Sequence, residues 1–113
     1  HKEREIMPIW VFMVRYDGEM ACSTHFTEKG AVLTAIEDVL QYLGIEDDED
    51  AKNVYNDRSG IEEDAGVEPP EWHHEKLRKM TVGELYGIFG EWVEKTWDDF
   101  MYECEITKTR VAA

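Results

Sequence analysis

Carboxylates are the most abundant groups in this chain that could do chemistry, and they are concentrated in one place. The stretch GIEDDEDAKNVYNDRSGIEEDAGVEPPEW, from Gly44 to Trp72, carries Glu46, Asp47, Asp48, Glu49, Asp50, Asp57, Glu62, Glu63, Asp64, Glu68 and Glu71. Only Lys52 and Arg58 oppose them. Clustered carboxylates can hold a divalent cation, work as an acid–base pair, or form a negative surface. An EF-hand loop requires oxygen ligands at positions 1, 3 and 5, Gly at 6 and Glu at 12. Starting at Asp48 places Asp50 at position 3, but Lys52 at 5 and Asn53 where Gly belongs. Starting so that Gly60 takes position 6 puts Tyr55 at position 1. Neither frame makes a calcium site.

The remaining candidates are weaker. Cys22, His25, His73, His74 and Cys104 are the available zinc ligands. Cys22 and His25 fall on opposite faces of a strand, and adjacent histidines chelate poorly. Ser23, Ser59 and the two thiols have no nucleophile elbow, triad motif or glycine-rich cradle around them. Paired carboxylates carry no information in a chain with 26 acids. The expectation is a protein that is not an enzyme and has no metal or other cofactor.

What remains is the negative surface. Glu37 and Asp38, on the helix that precedes the acidic stretch, extend it. A duplex strand carries one phosphate charge every ~3.4 Å of axis. An extended EDDED tract, advancing ~3.3 Å per residue, would match that density. The contact set is therefore Glu37, Asp38, Glu46, Asp47, Asp48, Glu49, Asp50, Asp57, Glu62, Glu63 and Asp64. The competing view is a solvated loop whose charge serves solubility alone. On either view Asp47, Asp48, Glu49 and Asp50 lie outside any apolar pattern, so the fold should not depend on them. WHHEKLRKM, with Lys76, Arg78 and Lys79 beside two histidines, is expected to fold back on the acidic stretch and neutralise part of it.

Composition sets the limits. A length of 113 residues suits one domain. With 42% apolar residues, four Trp, five Tyr and four Phe, a core can form without disulfides. A net charge of −14 disfavours nucleic acid and anionic lipid and favours a basic protein partner. Cys22 and Cys104 fit two buried thiols of a reduced cytoplasm. No apolar run approaches the ~18 residues of a membrane span.

The elements that must position these groups follow from periodicity. MPIWVFMVRY reads as a central strand, Ile9–Tyr16, and Asp17-Gly18 as a hairpin turn. MACSTHF returns with Met20, Cys22, Thr24 and Phe26 on one face and Ala21, Ser23 and His25 on the other. Thr27 caps a helix whose stripe is Val32, Ile36, Val39, Leu40 and Leu43, ended by Gly44. The acidic segment, 45–71, follows as irregular chain with at most a turn of helix near Asp50–Tyr55. Thr81 and Glu84 have capping-box spacing and open the last helix. DFMYECEITKTRV alternates as a third strand, with Phe100, Tyr102, Cys104 and Ile106 inward. The fold class is α+β, in β-β-α-α-β order. A three-stranded antiparallel sheet carries two helices on one face, with the acidic segment between the helices.

The last helix is apolar over about half its circumference, more than one sheet contact requires. Trp92, at the middle of that arc, is expected to face the sheet near Phe100 or Tyr102. Tyr86 and Trp97 lie at its edges. They give an alternative function, a structural or assembly protein that forms homodimers through this helix.

The opening HKEREIMP adds one more reading. His1 looks like a tag residue, and Lys2–Ile6 fits a translated purine-rich ribosome-binding site ahead of a start at Met7. Residues 1–6 are then tag and leader, and 7–113 the domain. Taken with the EDDED and EEDAGVEPPE tracts, the chain resembles the small acidic proteins by which phages disable host defence, the anti-CRISPR and anti-restriction inhibitors that imitate DNA. The resemblance lies in general character and matches no specific motif. It implies an inhibitor in the bacterial cytoplasm that occupies the nucleic-acid-binding surface of a CRISPR effector or restriction nuclease subunit.

Overall fold

The computed structural model describes residues 6–62, 65–96 and 102–112. Strand β1 (Ile6–Tyr16) and strand β2 (Glu19–His25) are joined by Asp17 and Gly18, both at positive φ (51° and 80°). That conformation matches the right-handed twist of a two-residue hairpin. Strand β3 (Glu103–Ala112) pairs on the other side of β1, giving an open antiparallel sheet of order β2-β1-β3. Phe12 stands opposite Ser23 and Ile106, and Val14 opposite Ala21 and Cys104. Strand β1 begins three residues before the expected Ile9. Ile6, assigned above to a leader, is in register with Ala112.

Helix α1 (Glu28–Tyr42) starts at Thr27, whose hydroxyl accepts the Gly30 N–H at 3.0 Å. Its buried residues Val32, Ala35, Ile36, Val39 and Leu40 share one core with Phe12 and Val14 of the sheet. Helix α2 (Asp48–Ser59), the short α3 (His74–Leu77) and helix α4 (Val82–Glu94) complete the described elements. The capping box of α4 forms as its spacing predicts: the Thr81 hydroxyl accepts the Glu84 N–H, and the Glu84 carboxylate accepts the Thr81 N–H. The layers run sheet, α1, α4, because α1 lies on the sheet and α4 packs against α1.

Three expectations are corrected here. The acidic segment is not irregular: its first half is α2, three turns of helix ended by Gly60 in the left-handed conformation (φ 68°). Ala51 of α2 is buried in the core and Val54 and Tyr55 pack against it, which anchors a helix that has little apolar character of its own. Trp92 is fully buried, but it faces α2 and the 70s rather than the sheet. Its ring meets Tyr55 edge-on at 6.0 Å, and its indole N–H donates to the Glu71 carbonyl at 3.2 Å. Phe100 lies outside the described residues. Of the two thiols, Cys104 is half-buried on the helix side, whereas Cys22 is exposed. Cys22 pairs with Met13 on the outer face of the sheet, over which no described element packs.

No helix is long and apolar enough to cross a membrane, among the described residues.

Candidate acidic site

The carboxylates at the start of α2 are ordered because the backbone needs them. Asp47 is the N-cap, and its side chain accepts the Asp50 N–H at 2.8 Å. The Asp50 carboxylate accepts the Glu46 N–H at 3.0 Å, so two otherwise unpaired donors are satisfied within one turn. Asp48, Glu49 and Asp50 fill the first turn, where the helix dipole favours negative charge. The density of the EDDED tract thus has a local physical cause.

The tract is also tied to the rest of the domain. Asp48 Oδ1 accepts the Trp72 indole N–H at 2.9 Å and lies 3.0 Å from His73 Nε2. The other ring nitrogen of His73 is 2.6 Å from Glu71 Oε2, which also accepts the backbone N–H groups of Trp72 and His73 at 3.0 and 2.9 Å. Burial alone would push the Glu71 carboxyl up. The hydrogen bonds from His73 and Trp72, with Lys76 3.8 Å away, outweigh it and hold the group below the usual carboxylate range. His74 Nδ1 sits 3.2 Å from Glu37 Oε1 on α1. The histidines and Lys76 of the basic island therefore fold back on the acids, one histidine to α2 and the other to α1.

This geometry corrects the view that the fold is indifferent to Asp47, Asp48, Glu49 and Asp50. Asp47 and Asp50 cap α2, and Asp48 receives Trp72. Glu49 makes no hydrogen bond or ion pair among the described residues. Nor does the tract carry its charges at the spacing of duplex phosphates. After Asp47 the chain is helical, advancing ~1.5 Å per residue rather than ~3.3 Å.

The predicted contact set is divided by the fold. Glu46, Asp47, Asp48 and Glu49 are exposed at one end of α2, Asp50 is half-buried there, and Glu37 stands beside them through His74. The Asp48 side chain is 81% exposed, so its charge still faces water despite its two partners. Asp57 is exposed near the far end of α2, and Glu62 follows it. Asp57 lines a cleft of about 590 Å³ with Leu43, Asn53, Val54, Asn56, Arg58 and Ile61. Arg58 ties α2 to the end of α4 by donating to the Lys95 carbonyl at 3.0 Å. Glu63 and Asp64 lie outside the described residues. Asp38 belongs to a different site, half-buried on α1, where it accepts the Tyr102 hydroxyl at 2.8 Å.

Of the two residues assigned to self-association, Trp97 lies outside the described residues. Tyr86 is half-buried, and its hydroxyl donates to Glu28 Oε2 of α1 at 2.8 Å. Burial, and then that carboxylate, push its ionisation up to about 12. Tyr86 thus bridges α4 and α1 through its hydroxyl.

Among the described residues, no three His, Cys, Asp or Glu side chains converge where they could hold a metal. Ser23 Oγ and His25 Nε2 are 2.8 Å apart on β2, and no described carboxylate bonds the second ring nitrogen. Reading the sequence missed Glu71 as the junction of this site. It also missed a group of three tyrosines, Tyr16, Tyr42 and Tyr102, drawn together from β1, α1 and the residue before β3. Glu71 carried no signal, because it lies in irregular chain after Pro69-Pro70, which periodicity does not describe. Comparison with known protein families, curated proteins and solved structures finds no match to this chain.

Proposed function

We propose that this chain is a non-enzymatic acidic binding protein that occupies a basic, nucleic-acid-handling surface of a host protein. A phage inhibitor of a CRISPR or restriction system, acting in the bacterial cytoplasm, is the form the proposal takes. The observation that carries it is the fixed group of exposed carboxylates Glu46, Asp47, Asp48 and Glu49, with Glu37 alongside. A capped helix end fixes the backbone that bears these charges, so a partner need not bear the entropy of ordering that backbone. The first turn of a helix packs charges more closely than a duplex strand does. Charge density, rather than a copy of phosphate spacing, is the property a basic groove would recognise.

The test is affinity capture from a bacterial lysate over a salt series, with the double variant Glu46→Lys/Glu49→Lys beside the wild type. Neither side chain makes a described hydrogen bond, so the fold should be unchanged. The expected result is a basic nuclease-type partner released as salt rises and held more weakly by the variant. The partner's binding to duplex DNA should fall in the presence of this protein. Retention indifferent to salt and to both substitutions, or a salt-insensitive homo-oligomer with no partner, would overturn the proposal.

A further inference from the structure

The tyrosine group holds a second feature of the molecule, at the C-terminal end of α1. Tyr16, the last residue of β1, is 39% exposed, and Tyr42 is the last residue of α1. Their ring centroids are 5.6 Å apart with planes at 65°, so the two rings meet edge to face. Tyr102 lies behind them, 4.3 Å from Tyr42 and 6% exposed. Its hydroxyl fixes Asp38 by donating to Oδ2 at 2.8 Å. Tyr16, Tyr42, Asp38 and Gln41 line a pocket of about 320 Å³, at the small end of ligand-binding cavities.

The lining selects the ligand by its chemistry. The faces of phenol rings carry negative charge density, and an exposed phenol ring beside a carboxylate attracts an organic cation. A carboxylate in the wall repels anions. One carboxylate is too few oxygens for calcium or magnesium, which take six or more ligands. Among the described residues, no lysine or arginine lines the pocket to neutralise Asp38 from within.

We propose that the pocket of Tyr16, Tyr42 and Asp38 is a seat for an alkylammonium group, and that in the complex it takes a lysine side chain of the basic partner. The pocket's chemistry stands on its own geometry, while the source of the lysine rests on the function proposed above. The lysine stem lies against the exposed part of Tyr16 and the ammonium reaches the Asp38 carboxylate, whose other oxygen holds Tyr102. This deepens the role of Asp38: it contributes a pocket rather than a share of the α2 surface.

The experiment is a proton NMR titration of the tyrosine ring resonances with Nα-acetyl-lysine methylamide. The norleucine counterpart, with an uncharged aliphatic side chain, is the control. Saturable shifts confined to the Tyr16 and Tyr42 rings are expected with the lysine amide and not with the norleucine amide. Tyr16→Leu and Asp38→Asn should each weaken binding by about two- to fivefold, the effect of one aromatic face or one charge at a partly exposed site. The side-chain carbonyl introduced by Asp38→Asn can still accept the Tyr102 hydroxyl, so that variant keeps the local fold. Equal shifts with both amides, or shifts undiminished in both variants, would overturn the inference. Partner capture separates it from the reading it rests on. A partner held equally well by wild type and Tyr16→Leu would refute the lysine seat and leave the acidic surface standing. Lysine amide binding without any basic partner would uphold the pocket and refute the surface.

Discussion

Replacing Trp92 by alanine removes the side chain that joins α4 to α2 and to the irregular chain before α3. The indole is 0% exposed, meets Tyr55 at 6.0 Å and donates to the Glu71 carbonyl. A buried tryptophan covers roughly 200 Å². At about 25 cal/mol per Å² that is ~5 kcal/mol, an upper figure because an unfolded chain already hides some of its surface. Truncation of buried aromatics in other cores costs about 3–5 kcal/mol, with incomplete collapse of the cavity included. Since a domain of this size is held by about 5–15 kcal/mol, Trp92→Ala should remove roughly a fifth or more of its stability. Trp92→Phe keeps most of the apolar contact but leaves the Glu71 carbonyl without its donor, and should cost about 1–2 kcal/mol. Urea unfolding followed by far-UV circular dichroism measures both, with the m-value as the check that the unfolded reference is unchanged. A loss below about 1 kcal/mol for Trp92→Ala would refute the argument. The α2 and α4 layers would then not depend on this contact.

Three further outcomes follow from the site. Asp47→Ala with Asp50→Ala should destabilise by about 1–3 kcal/mol in total through loss of the cap and of the bond from the Glu46 N–H, whereas Glu46→Lys with Glu49→Lys should cost no more than about 1 kcal/mol, the effect of reversing charge at the first turn; equal melting temperatures for the two pairs would mean that the cap contributes nothing. Glu71 has a folded pKa below its ordinary value near 4.5, so its contribution to stability is complete above that value and is lost as pH falls through the lower folded pKa. Urea midpoints measured from pH 6 down to pH 3 should therefore fall less steeply for Glu71→Gln than for wild type, and parallel curves would contradict the assignment. The Tyr86 phenol ionises at about 12, so Tyr86→Phe should remove a late step from the ultraviolet titration of the tyrosines and should weaken the contact between α1 and α4 by about 1–2 kcal/mol.

Much of the architecture could be read from local pattern. The apolar run of β1, the Asp17-Gly18 turn, the Val32–Ile36–Val39–Leu40 stripe and the Thr81/Glu84 capping box each depend on neighbours within a few residues. Such signals survive without knowledge of the fold, and the α+β class and the antiparallel sheet follow from them. Helix α2 did not show itself. Its mean composition is polar, and it is held by Asp47 and Gly60 at its ends and by Ala51, Val54 and Tyr55 against the core. An N-cap formed by an aspartate looks the same as a loop aspartate when the residues around it are also acidic.

The sequence by itself determined the periodic elements, their order and the excess of negative charge, because these are properties of composition and short-range spacing. Which carboxylates serve structure and which remain for a partner was decided in large part by tertiary contacts. Asp48 meets Trp72 across 24 positions of chain, Glu37 meets His74 from another helix, and Asp38 meets Tyr102 across 64 positions. The same holds for Trp92, whose place at the middle of an apolar arc ensured burial but not a partner. A helix face specifies that a side chain turns inward, and only the packing of the layers, with α4 on α1 and α2 beside it, settles what it meets there.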